Sequence, residues 1–272
     1  MNDASPPQPA IDGATRLLGI VGDPIEQVKS PLVLNPRFKA AGVNAVLVPF
    51  QVRTDLFEIT LRGLMALGNL DGLIITVPYK TRALTLVDEV LPTGLNIGAI
   101  NAMRREKHGR WTGDMFDGRG LVRGLAEEGL SVAGRRILLI GAGGAGSAVA
   151  GAFAEVGATA LTVNDIDLEK AEGLVTRLRR AYPACATRTG AAQAAGHDVI
   201  VNATPIGMAK GEGLPAPLGP LEASQLVIDV IAKPEVTPLL AEARARGCRT
   251  VGGKAMLDGQ VAELEKFFRI GE

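Results

Sequence analysis

The residues of this chain that could do chemistry form two groups: a possible acid/base pair, and a glycine-rich turn followed by a carboxylate. Lys80 closes the segment IITVPYK, just after Thr76 and Pro78, and Asp117 lies in GDMFDGRG. A lysine and an aspartate held together in a cleft can pass protons. Burial lowers the lysine pKa toward neutrality, and the carboxylate holds and orients the ammonium. Either residue taken alone reads as a surface charge. The turn is GAGGAG, in which Gly141, Gly143 and Gly146 make G-x-G-x-x-G with Gly144 and Ala145 inside it. The first glycine allows a tight turn, the second lets a pyrophosphate approach the backbone, and the third lets helix and strand pack closely. The phosphates then rest on unpaired N–H groups at the positive end of a helix. Asn164-Asp165 follows about twenty residues on, where a carboxylate accepts hydrogen bonds from the ribose hydroxyls and repels a 2′-phosphate. The expected cofactor is NAD or NADP, with NAD favoured by Asp165. The competing reading is a packing turn with Asp165 as a helix cap. Arg177, Arg179 and Arg180 lie downstream and are expected on a solvated helix face.

Such groups need a scaffold, and its elements show in the hydrophobic pattern. LLGIV (17–21), AVLVPF (45–50), GLIITV (72–77) and AINAMR (99–104) are short apolar runs bounded by Gly, Asp, Asn or Pro, as strands are. Helical spacing separates them at Ser30–Ala41 and Thr54–Leu67; in the second, Leu56, Ile59, Leu64 and Leu67 share a face and Thr54-Asp55 can cap the start. A turn at 107–109 predicts a hairpin to a short strand near Trp111. The alternation restarts with RRILLI before the turn, then ALTVND (160–165), DVIVNAT (198–204), QLVIDVI (225–231) and CRTVGG (248–253). Helices are expected at 144–157, 167–181 and 236–246, and again in GKAMLDGQVAELEKFF. Pro205–Pro220, with four prolines and four glycines, reads as a loop over a ligand. The predicted fold class is α/β: an N-terminal α/β substrate domain, residues 1–116 with 253–272, and a Rossmann-type doubly wound parallel sheet, residues 117–252, with a cleft between them.

Composition narrows the function classes. Of 272 residues, 47% are hydrophobic and 21% charged, which excludes a disordered chain. The 29 basic and 29 acidic residues cancel, so neither nucleic acid nor an anionic membrane is an expected partner. Cys185, Cys248, His108 and His197 are too few for a disulfide framework or a Cys/His zinc cluster, and no metal is expected. The thiols read as buried, His108 as a turn residue and His197 as a helix cap. Residues 1–16 read as a disordered tail without the apolar stretch of a signal peptide. Ile137–Ala154 is uncharged and of membrane-helix length, but its glycines make strand, turn and helix the better reading. The expected location is the cytoplasm, and monomer and homodimer both stay open.

Eight segments, in order, resemble the shikimate/quinate dehydrogenase family from about Leu17 to Phe268: GDPIEQVKSPLVLN, ITVPYK, GAINA, GDMFDGRG, GAGGAG, VNATPIGM, DVIAKPEVTPLL and GGKAMLDGQ. The resemblance implies reversible hydride transfer between nicotinamide and a ring hydroxyl of a cyclic polyhydroxy carboxylate, which in the biosynthetic direction reduces 3-dehydroshikimate on the route to aromatic amino acids. Carried over by position, Lys80 and Asp117 are the catalytic pair. Asn101, Asp117, Thr76 and Gln260 read the substrate hydroxyls, and Ser30 holds the carboxylate. Thr204 and Gly253 match positions near the nicotinamide. Four positions depart from the family pattern: Val28 replaces the first hydroxyl residue of S-x-S-P, Ile74 an asparagine, Phe116 a threonine and Ala232 a tyrosine. Each lost donor to a charged group costs roughly 1.5–3 kcal/mol. Lys254 is either a compensating cation or an exposed lysine at a helix start. The alternatives to a shikimate or quinate dehydrogenase are a dehydrogenase of another small hydroxy acid and a nucleotide-binding sensor without turnover.

Overall fold

The computed structural model describes residues 11–271. Most of the expected tail, residues 1–10, lies outside them. Residues 11–15 form a turn in which Thr15 is buried and donates to Asn44 Oδ1 at 2.8 Å, so order begins earlier than the composition suggested.

The first half of the chain runs β1 (Arg16–Gly22), α1 (Ser30–Ala40), β2 (Ala45–Gln51), α2 (Phe57–Met65), β3 (Leu70–Ile75), β4 (Glu89–Val90), α3 (Pro92–Ile97), β5 (Ala102–Arg105) and β6 (Trp111–Asp114). These strands form one sheet in the order β2-β1-β3-β5-β6-β4. β1 pairs in parallel with β2 and β3, whereas β5 and β6 form the predicted antiparallel hairpin, so the sheet is mixed. After α4 (Asp117–Glu127) come β7 (Arg136–Ile140), α5 (Gly144–Glu155), β8 (Ala160–Asn164), α6 (Leu168–Ala181), β9 (Ala186–Thr189), β10 (Val199–Asn202), β11 (Leu226–Asp229), α7 (Pro238–Ala245), β12 (Arg249–Val251) and α8 (Lys254–Phe267). The second sheet is parallel throughout, in the order β12-β11-β10-β7-β8-β9. Its order reverses between β7 and β10, and a crevice opens at such a switch point beyond the carboxyl ends of the strands.

Each sheet buries its own core. Val149, Phe153, Leu174 and Leu178 of α5 and α6 close over Ile137, Leu139, Val163 and Val201 of the second sheet. On the first sheet, Val261, Leu264, Phe267 and Phe268 from α8 and its end join Leu18, Ile20, Leu34 and Phe38, so the last helix returns the chain to where it began. α4 packs chiefly on α8. The close approach requires glycine on both sides: a Cβ on Gly259 would lie 2.0 Å from Gly120 O, and one on Gly120 would lie 2.6 Å from Met256 O.

Several sequence expectations fail locally. α2 starts with a 3-10 turn at Thr54–Leu56, and neither Thr54 nor Asp55 caps the helix; Asp55 pairs with Arg53. Its buried face is Phe57 and Leu61, whereas Leu56, Ile59 and Leu67 are exposed, Ile59 at 72%. Phe57 wins the inward position because its ring stacks on Tyr79 at 4.1 Å between centroids. No helix adjoins His197. Its ring bridges loop and sheet, with Nδ1 3.0 Å from Gln193 O and Nε2 2.9 Å from Thr162 Oγ1, and burial pushes its pKa down. Both cysteines are free and buried, as expected. The uncharged run from Ile137 is β7, the glycine turn and α5, and among the described residues no helix is long and apolar enough to cross a membrane.

Candidate active site

Lys80 lies in the turn after β3, beyond Thr76 and Pro78, and its main-chain carbonyl accepts the N–H of Ile100 at 2.9 Å. Asp117 is the first residue of α4, directly after the sharp exit from β6. The two side chains meet: Lys80 Nζ donates to Asp117 Oδ2, with the residues 6% and 3% exposed. Buried charges persist only when paired and hydrogen-bonded, and the remaining bonds are present. Asn101 Nδ2 donates to the other carboxylate oxygen, Oδ1, at 2.7 Å and to Gln260 Oε1 at 3.0 Å. The N–H of Phe116 donates to Asn101 Oδ1 at 2.8 Å and so fixes the amide orientation. One buried network thus unites Lys80, Asn101, Asp117 and Gln260, drawn from both ends of the chain. The ammonium has three donors and uses one in this bond, leaving two for a hydroxyl or carbonyl oxygen.

Ser30 begins α1 and is buried; Thr76 follows β3 with its methyl against Gly22. Among the described hydrogen bonds, neither hydroxyl joins the Lys80 network. The departures from the family pattern are mostly apolar packing. Ile74 and Phe116 are buried in the first core, Phe116 with its ring 5.0 Å from that of Phe267, and Val28 packs against the same cluster. Lys254 is 72% exposed at its side chain and paired with Asp258, so it is an exposed lysine at the start of α8.

At the switch point, Gly141 adopts φ +100°, a backbone that only glycine takes without strain. A Cβ on Gly146 would lie 1.9 Å from Gly141 O, so the turn closes onto α5 only with glycine there. Around Gly143 nothing lies within 4 Å of a Cβ position: this is open space in front of the backbone. Gly143 is the N-cap of α5 and no side chain caps it, so the first N–H groups, Gly144, Ala145 and Gly146, remain for an anion. The residues present therefore fit a pyrophosphate. A Cβ on Gly144 would lie 2.6 Å from Lys80 Cβ, which puts the lysine stem against the turn.

Asp165 accepts the N–H of Ala142 at 2.6 Å and that of Asp167 at 2.9 Å, tying the end of β8 to the turn; the helix cap is Asp167, not Asp165. Asn164 donates to Gly190 O at 2.9 Å. Thr204 Oγ1 donates to Asn202 Oδ1 at 2.7 Å, and its methyl lies beside Gly141. Gly253 caps α8 under the backbone of Val230. Sequence reasoning missed the group that supports Thr204. Asp229, fully buried at the end of β11, accepts from Thr237 Oγ1 at 2.7 Å and Asn202 Nδ2 at 3.1 Å, and burial pushes its carboxyl up. The polar residues ending VIVN and LVID, side by side across two strands, were the available signal. Pro205–Pro220 is a loop, as predicted, held by Glu212 accepting from the N–H groups of Gly207 and Ala209 at 2.7 and 2.9 Å.

Comparison with known proteins agrees with this geometry. Residues 20–103 match the shikimate dehydrogenase substrate binding domain, and residues 124–242 the shikimate / quinate 5-dehydrogenase family. The shikimate dehydrogenase (NADP(+)) of Rubrobacter xylanophilus is 37% identical over 266 residues, covering 95% of this chain and 92% of that protein. The enzyme of the same name from Gluconobacter oxydans is 39% identical over 249 residues, covering 91% and 88%. Shikimate 5-dehydrogenase from Listeria monocytogenes, crystallised with shikimate and NAD, superposes with a TM-score of 0.82 at 29% identity, covering 96% of this chain and 92% of that one. With both halves of the chain matched and relatives 37–39% identical over nine-tenths of it, this chain belongs to the shikimate/quinate dehydrogenase family.

Proposed function

We propose that the chain is an NAD(P)-dependent oxidoreductase that interconverts a ring hydroxyl and a ketone on shikimate or a close cyclic polyhydroxy carboxylate, such as quinate. The observation that carries this reading is the buried Lys80–Asp117 pair lying against Gly144 of the nucleotide turn. A nicotinamide bound beside Thr204 and Gly253 supplies the hydride acceptor or donor. In the oxidising direction Lys80 Nζ acts as the neutral amine: it takes the hydroxyl proton and becomes the ammonium as the carbon gives up hydride and its C–O bond becomes a carbonyl. In the reducing direction Lys80 returns that proton to the oxygen. Asp117 holds the ammonium in place, Asn101 holds Asp117, and Gln260, which accepts from Asn101, keeps its amide N–H groups for a neighbouring hydroxyl. Ser30, at the start of α1, is assigned to the carboxylate, and Thr76 to a hydroxyl. The first sheet with α8 takes the substrate, and residues 117–252 take the cofactor.

NAD is the preferred cofactor in this proposal. Asp165 places a carboxylate beside the turn where the adenosine ribose arrives, and Lys170, in the first turn of α6, is paired with Asp167. The cytoplasm, where the reduced and oxidised cofactor circulate, is the proposed location. Initial rates with shikimate and with quinate, each with NAD and NADP, test the function. Turnover of at least one acid with a KM between roughly 1 μM and 1 mM is expected, and no turnover of either acid would refute it. The same assay on Asp165→Arg should lower the NAD/NADP ratio of kcat/KM by at least about tenfold, the equivalent of about 1.4 kcal/mol; an unchanged ratio would remove Asp165 from cofactor choice.

A further inference from the structure

The main chain passes between the sheets at two places, from β6 into α4 and from β12 into α8. A third link is non-covalent, and it centres on a residue expected to be solvated. Arg177, on α6 of the second sheet, reaches to the C-terminal end of α3 beside the first sheet, where its Nε donates to Ile97 O at 3.0 Å. Its guanidinium covers Gly98, which ends α3 at φ +75°; a Cβ there would lie 3.0 Å from Arg177 Nε. The neighbouring contacts repeat the pattern. Ile97 packs on α5 at Gly151, where a Cβ would meet Ile97 Cγ2 at 2.5 Å and the ring of Tyr182, at the end of α6, at 3.8 Å. α5 and α6 together grip the end of α3.

Two features say that this grip does more than hold the fold. Arg177 is half-buried, burial pulls its pKa down, and it takes part in none of the ion pairs among the described residues. Desolvating a guanidinium for one carbonyl adds little net stability. The gripped segment also leads directly to the catalytic network. From Gly98 the chain reads Ala99-Ile100-Asn101; Ile100 N–H bonds Lys80 O, and Asn101 bonds Asp117. At its other end α6 is capped by Asp167, whose N–H donates to Asp165, where the cofactor ribose is assigned.

We infer that Arg177 is a positioning residue that couples cofactor binding on the second sheet to the alignment of Lys80, Asn101 and Asp117 on the first. A cofactor that seats the start of α6 also seats Arg177 on Ile97, and this holds the Gly98–Asn101 segment, with Lys80 behind it, at the angle the reacting hydroxyl needs. The inference rests on the proposed dehydrogenase reading for the identity of its ligands.

The test compares wild type with Arg177→Ala and Arg177→Gln by calorimetry, using as probes NADH and shikimate, which bind together without reacting because both are reduced. In wild type, saturating NADH should tighten shikimate binding. In Arg177→Ala that enhancement should shrink by roughly 3–10-fold, the loss expected for one hydrogen bond, while NADH binding to the free enzyme stays unchanged. Arg177→Gln, which keeps a donor within reach of Ile97 O, should recover part of it and stands in if the alanine variant does not fold. An enhancement unchanged in both variants, or a loss confined to melting temperature with binding intact, overturns the coupling. A wild type that turns over neither acid refutes the dehydrogenase reading instead, so the two failures are distinguishable.

Discussion

Around the second sheet, the polar groups offered to a ligand are main-chain atoms of one short turn, Gly141–Gly146, backed by Asp165 one strand away. Around the first, they are side chains from Lys80, Asn101, Asp117 and Gln260, brought together only by the fold. The first kind of site is built by omitting side chains, so that backbone N–H groups face open space at Gly143. The second is built by burying charges that must then be satisfied one by one. Local sequence dictates the former, whereas tertiary packing dictates the latter, and the two should respond differently to substitution.

The widest gap is expected between neighbouring glycines of the turn. Gly146→Ala drives a methyl to within 1.9 Å of Gly141 O, so the turn must move. Overpacking of this kind costs about 1–3 kcal/mol, visible as a melting temperature several degrees lower, with cofactor affinity lost alongside. Gly143→Ala meets nothing within 4 Å and has ordinary extended backbone, φ −71° and ψ −170°. Its melting temperature should match wild type while NAD affinity falls, because the methyl occupies the space left for the pyrophosphate. If both variants melt alike and bind alike, the turn is not a backbone-built phosphate site.

The smallest effect belongs to a charge pair far from either site. Arg136 donates to Asp198 at 2.8 Å and joins the entrances of β7 and β10; it holds the Asp198 carboxyl at about 2, against an ordinary value of 3.8. A carboxyl depressed in the folded state adds stability that is fully present above its ordinary value and lost as pH falls from about 4 to about 2. The partners are 56% and 30% exposed, so solvent screening keeps the contribution under about 1 kcal/mol. Asp198→Asn should flatten that part of the acid limb in a melting-temperature profile without changing turnover at neutral pH. A variant profile parallel to wild type between pH 4 and 2 would remove the pair from the acid response.

The same contrast explains what was legible in the sequence. Apart from β4 and β9, the strands of both sheets show as apolar runs or as the turn before Trp111, the glycine turn and Asp165 show in their spacing, and the structure places the expected strands within a few residues of expectation. α4 did not show, because DGRGLVRGLAE carries three glycines that lower helix propensity. Those glycines are where other backbones approach: a Cβ on Gly118 would lie 2.1 Å from Ala148 O, and one on Gly124 would lie 2.4 Å from Ala255 O. β9, ATRT, is a polar edge strand without an apolar run. In α2 the period was right and the face wrong, since Leu56 and Ile59 point outward and tertiary stacking chose Phe57. Arg177 looked solvated because nothing in its own helix says that α3 lies opposite. The contact between Asn101 and Gln260 spans 159 residues, beyond any local pattern; only resemblance to a family brings the two together from sequence.

Every proton in the proposed reaction passes through Lys80. Lys80→Met keeps the aliphatic stem against Gly144 and removes the amine that pairs with Asp117. The decisive measurement is its rate of shikimate oxidation beside its NAD affinity, on protein shown by a melting curve to be folded. The expected result is a rate lower by about 10²–10⁴-fold, the usual contribution of a positioned general acid/base, with NAD affinity unchanged. A variant that oxidises shikimate at the wild-type rate would show that the proton leaves by another route and would contradict the acid/base role of the Lys80–Asp117 pair.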